Sequence, residues 1–291
     1  MSASHDASQR FLFEQTDVRG EIVCLKEAYR ETLGEHEYSD AVARLLGEFL
    51  AATVLLSTTI KFDGRLVLQA RGDGPLGLIM AECTSEGNVR GIVRSKQFPE
   101  SGSLREMLGD GTLAMTIEPR KGEPYQGIVS LTGDDLGDCL AEYFTQSEQL
   151  NTVFHFAVDD EQATALMLQQ LPAQEEKDPE QRSEQWQRLS ILADTLKVAE
   201  LLGLDNEALL HRLYHQENLQ LFTPRPVQYH CSCSRERTAN ALLTIGKEEV
   251  ESILAEQGQV EMTCEFCGTR YQFSGDEIRL LLLDSDSATA H

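Results

Sequence analysis

The spacing of apolar residues changes several times along the chain, and each change marks an element. After Ser39, the residues Val42, Leu45, Leu46 and Phe49 recur at helical intervals, and from Leu50 the run turns apolar nearly all round. With Ser39 as its cap, this predicts a helix to about Ser57 whose second half is buried on every side. The period then drops towards two. Residues 65–70, 76–82, 89–94, 112–118 and 126–131 are short alternating runs between glycine-rich turns, which predict an antiparallel sheet. Residues 21–26 and 152–158 read as further strands, and 136–147 and 161–171 as helices. Residues 1–171 are therefore expected to form one α+β domain around a buried helix.

A different pattern begins beyond residue 171. The stretch from Pro172 to Pro179, PAQEEKDP, is polar with a proline at each end and predicts a boundary. Within 180–202, Leu189, Leu192, Ala193, Leu196 and Ala199 repeat at helical spacing, and Gly203 ends the run. Asp205 is placed to cap a second helix, with Leu204 and Leu209 as a hydrophobic staple. Both helices are charged outside one apolar stripe, so they cannot bury it alone and are expected to lean on the first domain. Residues 172–226 thus read as a helical linker. In the small third domain, 227–283, Ser234 caps a helix over 235–245 that Gly246 breaks, and 247–257 forms another, ended by Gly258. Residues 260–264 and 269–273 read as the arms of a hairpin, and Ser274 with Glu277 forms a capping box for a last helix. The acidic tail, 284–291, is expected to be disordered.

Composition narrows the function. The 291 residues suffice for a large and a small domain, and 41 % hydrophobic residues supply a sizeable core. A formal charge of −23 leaves no basic excess for nucleic-acid phosphates or an anionic membrane surface, so neither is an expected partner. The most apolar stretch, 49–60, is too short to span a bilayer. The first residues carry neither the basic nor the apolar region of a signal peptide, and the expected location is the cytoplasm. Cys24, Cys83 and Cys139 sit in apolar or turn contexts and read as ordinary reduced thiols.

The other four cysteines carry the chemistry. Cys231 and Cys233 form C-x-C, Cys264 and Cys267 form C-x-x-C, and thirty residues separate the pairs. Two close pairs on tight turns, brought together as the gap folds back, give the four soft thiolates of a tetrahedral Zn²⁺ site. One Zn²⁺ per chain is the expected cofactor. Four thiolates close the coordination sphere, so the site is not a hydrolytic centre. Spacing alone favours a structural staple and leaves open a redox switch, because both pairs are close enough to oxidise.

Other motifs are weaker. Gly72-Asp73-Gly74-Pro75-Leu76-Gly77 matches G-x-G-x-x-G, but Pro75 and the following apolar run predict a turn and a strand where a dinucleotide site needs a helix. Gly246-Lys247 lacks the rest of a P-loop, so no nucleotide is expected. Cys264-Glu265-Phe266-Cys267 sits in a hairpin beside a second pair, unlike a thioredoxin-type motif. His211 and His215 share a helix face but lack a nearby third ligand in sequence, and read as surface or packing residues. His230 precedes Cys231 and competes as a ligand only if four thiolates do not suffice. No Ser/His/Asp triad or catalytic carboxylate pair stands out.

The cysteine motifs resemble those of a known family. Cys231-Ser232-Cys233-Ser234-Arg235-Glu236-Arg237, with Cys264-Glu265-Phe266-Cys267-Gly268, looks like the redox switch of the 33 kDa chaperonin (heat-shock protein 33) family. Lys61-Phe62-Asp63-Gly64, Gly72-Asp73-Gly74-Pro75 and Tyr143-Phe144 through Ser147-Glu148-Gln149-Leu150 resemble that family's first domain. The resemblance spans essentially the whole chain. It implies a cytoplasmic, ATP-independent holdase for unfolded client proteins, not an enzyme, which is inactive while reduced and zinc-bound and is an active homodimer when oxidised. It also implies redox-active disulfides. Of the three possible pairings, crossed bonds would staple the thirty-residue excursion with about 3–4 kcal/mol and defeat a switch that works by unfolding. The expected pairs are therefore Cys231–Cys233 and Cys264–Cys267. The second is expected first, because an extended C-x-C sets its Cα atoms about 7 Å apart, at the edge of what a disulfide spans. Arg235 and Arg237 are expected to add positive charge that favours thiolate. The alternative is a constitutive interaction module with an inert zinc ribbon.

Overall fold

The computed structural model describes residues 6–34, 36–245 and 247–280. The chain divides into two compact units, Met1–His230 and Cys231–His291. The first unit runs β1 (Ala7–Phe13), β2 (Val18–Leu25), α1 (Glu27–Leu33), α2 (Asp40–Thr59), β3 (Gly64–Gly72), β4 (Leu76–Thr84), β5 (Asn88–Ser95) and α3 (Leu104–Leu108). It continues through β6 (Gly111–Pro119), β7 (Tyr125–Ser130), α4 (Leu136–Tyr143) with a π turn at Phe144–Glu148, β8 (Thr152–Val158) and β9 (Ala163–Gln170). Next come α5 (Pro179–Asp194), α6 (Val198–Gly203), α7 (Asn206–Tyr214), β10 (Leu219–Leu221), β11 (Arg225–Pro226) and β12 (Gln228–Tyr229). The second unit holds α8 (Arg235–Ile245), α9 (Lys247–Gln257), β13 (Gln259–Thr263) and β14 (Arg270–Ser274), then helix from 275 to 280.

Two sheets make up the first unit: the further strands expected at 21–26 and 152–158 belong to one, and the five alternating runs form the other, the single antiparallel sheet expected of them. The first has the order β10-β1-β2-β9-β8, with β11 also on β1, and the second β12-β5-β4-β3-β6-β7. Every pairing is antiparallel except β12 with β5. Helix α2 lies between the sheets, against β2, β8 and β9 on one side and β3, β4 and β5 on the other. Its all-round apolar second half follows from that position: Leu50, Ala51, Ala52, Leu55 and Leu56 are fully buried. Ser39 caps it, its hydroxyl accepting the Val42 N–H at 3.4 Å. Among the described residues α2 is the one helix long and apolar enough to cross a membrane, and most of it is buried in this protein core.

The helix expected over 161–171 is a strand. β9 sits between β2 and β8, in register from Val18↔Gln170 to Leu25↔Ala163. Both of its faces are covered, so its apolar residues run without the alternation that marks a half-exposed strand. Ala163, Ala165 and Met167 join the core around α2, while Leu166 and Leu168 join a second core on the sheet's other face. Ala, Leu, Met and Gln are good helix formers, so propensity pointed the wrong way and tertiary burial decided.

The single helix expected over 180–202 is two. α5 stops at Asp194 and α6 starts at Val198. Arg212 holds the break: it donates to the Thr195 hydroxyl at 2.7 Å and to the Thr195 carbonyl at 3.1 Å, and it pairs with Glu200. The stripes of α5, α6 and α7 are buried against the first sheet. Leu189, Ala193, Leu201, Leu209, Leu213 and Tyr214 pack with Phe11, Phe13, Ile22, Leu166 and Leu168. Asp17, in the turn between β1 and β2, anchors the start of this segment by accepting the backbone N–H groups of Gln174, Glu175 and Glu176 and pairing with Arg182. Gly246 and the tail expected to be disordered lie outside the described residues.

Candidate metal centre

Two turns of the second unit carry the cysteines. Cys231 and Cys233 precede α8, whose cap Ser234 accepts the Arg237 N–H at 3.2 Å. The Arg237 guanidinium reaches back to the Ser232 carbonyl at 2.8 Å, fixing the residue between the two thiols. Cys264 and Cys267 lie on the turn that joins β13 to β14. There the Cys264 N–H donates to Thr269 O and the Gly268 N–H to Cys264 O, both at 2.9 Å. Gly268 has φ 67°, the left-handed region that closes such a knuckle at least cost without a Cβ.

The four Sγ atoms lie within 4.8 Å of one another. The shortest contacts are Cys233–Cys267 at 3.4 Å and Cys231–Cys264 at 3.7 Å. A tetrahedron of sulfurs about 2.3 Å from a central Zn²⁺ has edges of about 3.8 Å, so the donor set fits such an ion in number, type and spacing. The electrostatics point the same way. Burial pushes the Cys264 thiol up to about 12 and raises Cys233. Cys267 is raised by burial too, but hydrogen bonds from Thr269 and from the neighbouring thiols outweigh it and leave it at about 7. Four thiolates this close repel one another, and a bound cation is what lets all four ionise together.

Tyr271 and Thr269 were not foreseen. The Tyr271 hydroxyl donates to Cys233 Sγ at 3.1 Å, and Cys267 Sγ lies 3.2 Å from Thr269 Oγ1. Such partners orient ligands and tune their basicity. Their only sequence signal is position, two and four residues past Cys267 on the hairpin's return arm. Arg235 does not serve the thiols as expected. It pairs with Glu277 at 2.7 Å, donates to Gln272 O and stacks on Phe273, so its charge is spent within the unit. His230 is not part of the cluster; its N–H donates to Val89 O. Cys83 and Cys139 are buried and Cys24 half-buried, all outside the cluster, and burial holds Cys83 up at about 11, an inert thiol. The Gly72–Gly77 stretch is the turn between β3 and β4 and no helix follows it.

A family model described as "Hsp33 protein" matches residues 6–274. The chain belongs to the Hsp33 family. Two curated Hsp33-family relatives, each named "33 kDa chaperonin", bear this out. The relative from Ectopseudomonas mendocina is 51 % identical over 286 residues, covering 97 % of each chain. The one from Azotobacter vinelandii is 52 % identical over 293 residues, covering 98 % of this chain and 99 % of the relative. The fold is similar to a solved Hsp33 homologue from Thermotoga maritima, with a TM-score of 0.82 at 25 % identity over 97 % of this chain and 100 % of that one. Membership makes this protein a chaperone, one that binds unfolded client proteins, and the cysteine cluster fits the metal and redox centre that the resemblance implied.

Proposed function

We propose that this Hsp33-family protein is a cytoplasmic holdase gated by oxidation of its four clustered thiols, acting without ATP and without enzymatic activity. The observation that carries the reading is the convergence of Cys231, Cys233, Cys264 and Cys267 in the unit with the smaller core. In the reduced chain these four sulfurs hold one Zn²⁺, which when bound neutralises the thiolates and cross-links the two turns. A peroxide then oxidises each local pair. One peroxide takes the two electrons given up as the thiolate sulfurs of Cys264 and Cys267 bond to each other and, with two protons from solvent, leaves as two waters, and a second does the same at Cys231 and Cys233, which frees the zinc. The crossed contacts in the structure do not select crossed bonds, because every pair in a tetrahedral set is an edge of similar length.

Disulfides remove the thiolate donor set, and a core of this size alone supplies roughly 3–5 kcal/mol. The third domain, 227–283, then unfolds. The linker, 172–226, whose stripe is buried only by docking, is released with it and exposes apolar surface to clients. Oxidised chains pair as homodimers, and the net charge of −23 keeps the opened protein in solution.

The test compares reduced and peroxide-treated protein at mild heat, without ATP, for bound zinc and for suppression of a client's thermal aggregation. One zinc without suppression is expected before oxidation, and suppression without zinc after it. Equal suppression in both states favours the constitutive module with an inert zinc ribbon. Peptide mapping under non-reducing conditions checks the pairing, and a dominant peptide joining Cys231 or Cys233 to Cys264 or Cys267 overturns it.

A further inference from the structure

A second group of metal-ligating side chains lies on α7. Glu207, His211 and His215 are four residues apart, so they follow one another along one face of the helix to its C-cap. All three line an open cleft of about 420 Å³, and Glu14, from the turn after β1, lines it too. The His211 and His215 rings stand 6.2 Å apart, centroid to centroid. Among the described residues, no side-chain hydrogen bond or ion pair engages Glu14, Glu207, His211 or His215. The remaining acid of the cleft, Glu217, is taken by Arg188 at 2.8 Å. The sequence offered a histidine pair without a third ligand. The fold supplies one carboxylate a turn earlier on the same helix and another from a strand end nearly two hundred residues away in the chain.

We infer that His211 and His215, completed by the carboxylates of Glu207 and Glu14, form a second divalent-metal site of the Zn²⁺ class. Two neutral imidazoles with carboxylate oxygens are a ligand set that Zn²⁺ takes readily, with water in any open position. The donor atoms of these four side chains do not converge in this structure as those of the four cysteines do; metal–nitrogen distances of about 2.1 Å would draw the ring centroids to about 5 Å, and all four side chains are exposed, so rotation of each is free to close the set. The site spans two elements. An ion there ties α7 to the β1–β2 turn and so favours the docked form of the helices by mass action. The site stands independently of the redox reading; its effect on activation, a higher oxidant threshold at high zinc, rests on that reading.

The test is equilibrium dialysis of the full-length reduced protein against ZnCl₂ at neutral pH. A second zinc is expected beyond the one on the cysteines. His211→Gln/His215→Gln should abolish it and keep the first, and Glu207→Gln/Glu14→Gln should weaken it by at least about tenfold. The tight, cysteine-bound equivalent should be the same in the wild type and the histidine variant, so failure of the cysteine reading (no tight equivalent in either) and failure of this one (no equivalent that depends on the histidines) look different. Absence of a second equivalent at free zinc on the order of 0.1 mM, or a second equivalent indifferent to the histidine pair, overturns the site.

Discussion

Leu50 and Cys264 mark where the chain converges in its two units, and their surroundings have little in common. Leu50 is fully buried on a helix packed between two sheets, among Leu46, Leu55, Ala81 and Met167. Cys264 is only partly buried, and the apolar cluster of its unit comprises Ala239, Leu242, Val250, Val260, Phe273 and Ile278. One unit removes enough apolar surface from water to hold itself together. The other buries a much smaller apolar cluster, and on the proposed reading it relies on the metal cross-link for the rest. A cross-link made of sulfur can be undone by an oxidant, whereas a packed core cannot. On the proposed reading, sensitivity is thereby confined to the part of the chain that can be lost without losing the rest.

The sharpest way to break this comparison is to take away the thiolates. Cys231→Ser/Cys264→Ser, or chelation of the reduced protein, should bring amides in 235–274 to unfolded rates of hydrogen exchange while those in 42–56 stay protected. The loss corresponds to the roughly 10–16 kcal/mol that structural zinc contributes at neutral pH. Protection that survives in the β13–β14 hairpin refutes the dependence on metal. The converse experiment, Leu50→Ala, should destabilise the first unit by about 2–5 kcal/mol through cavity formation and leave zinc stoichiometry unchanged.

Asp17→Asn probes the seam where the helical segment begins and should cost roughly 1–3 kcal/mol locally, read as faster exchange over 172–182. Burial pushes the Asp17 carboxyl up, but the three backbone N–H groups and Arg182 outweigh it, so it titrates below its ordinary 3.8. Its contribution is therefore complete above that value and is lost as pH falls through the lower, folded one. The wild type should show this loss in acid and the Asn variant should not. The mildest change, Tyr271→Phe, removes the hydroxyl donor to Cys233 and should weaken zinc binding about tenfold with the melting of the first unit unmoved.

Much of this was legible in the sequence because it was local. The Ser39 cap, the helix behind it, the strands from β3 to β7 and the β13–β14 hairpin each announced themselves within a dozen residues. The four cysteines needed only their spacing. What was missed depended on the rest of the fold. β9 lost its alternation because both its faces are covered, and β1 was overlooked. β10, β11 and β12 are two or three residues long and exist only through partners far away in the chain. Tyr271, Thr269 and the carboxylates beside His211 gain meaning only once the turns are closed.

Those late, short strands have a consequence for how the chain is made. Residues 219–226 cover the outer edge of β1 and residues 228–229 cover that of β5, with the Arg225 guanidinium donating to the Ser85 carbonyl between them. The contact of Gln228 with Asn88 closes a loop of 140 residues. On the ribosome, β1 and β5 therefore wait with bare backbone edges through most of translation, open to pairing with any neighbouring strand. A chaperone is itself most exposed to aggregation until nearly four-fifths of its own chain has emerged.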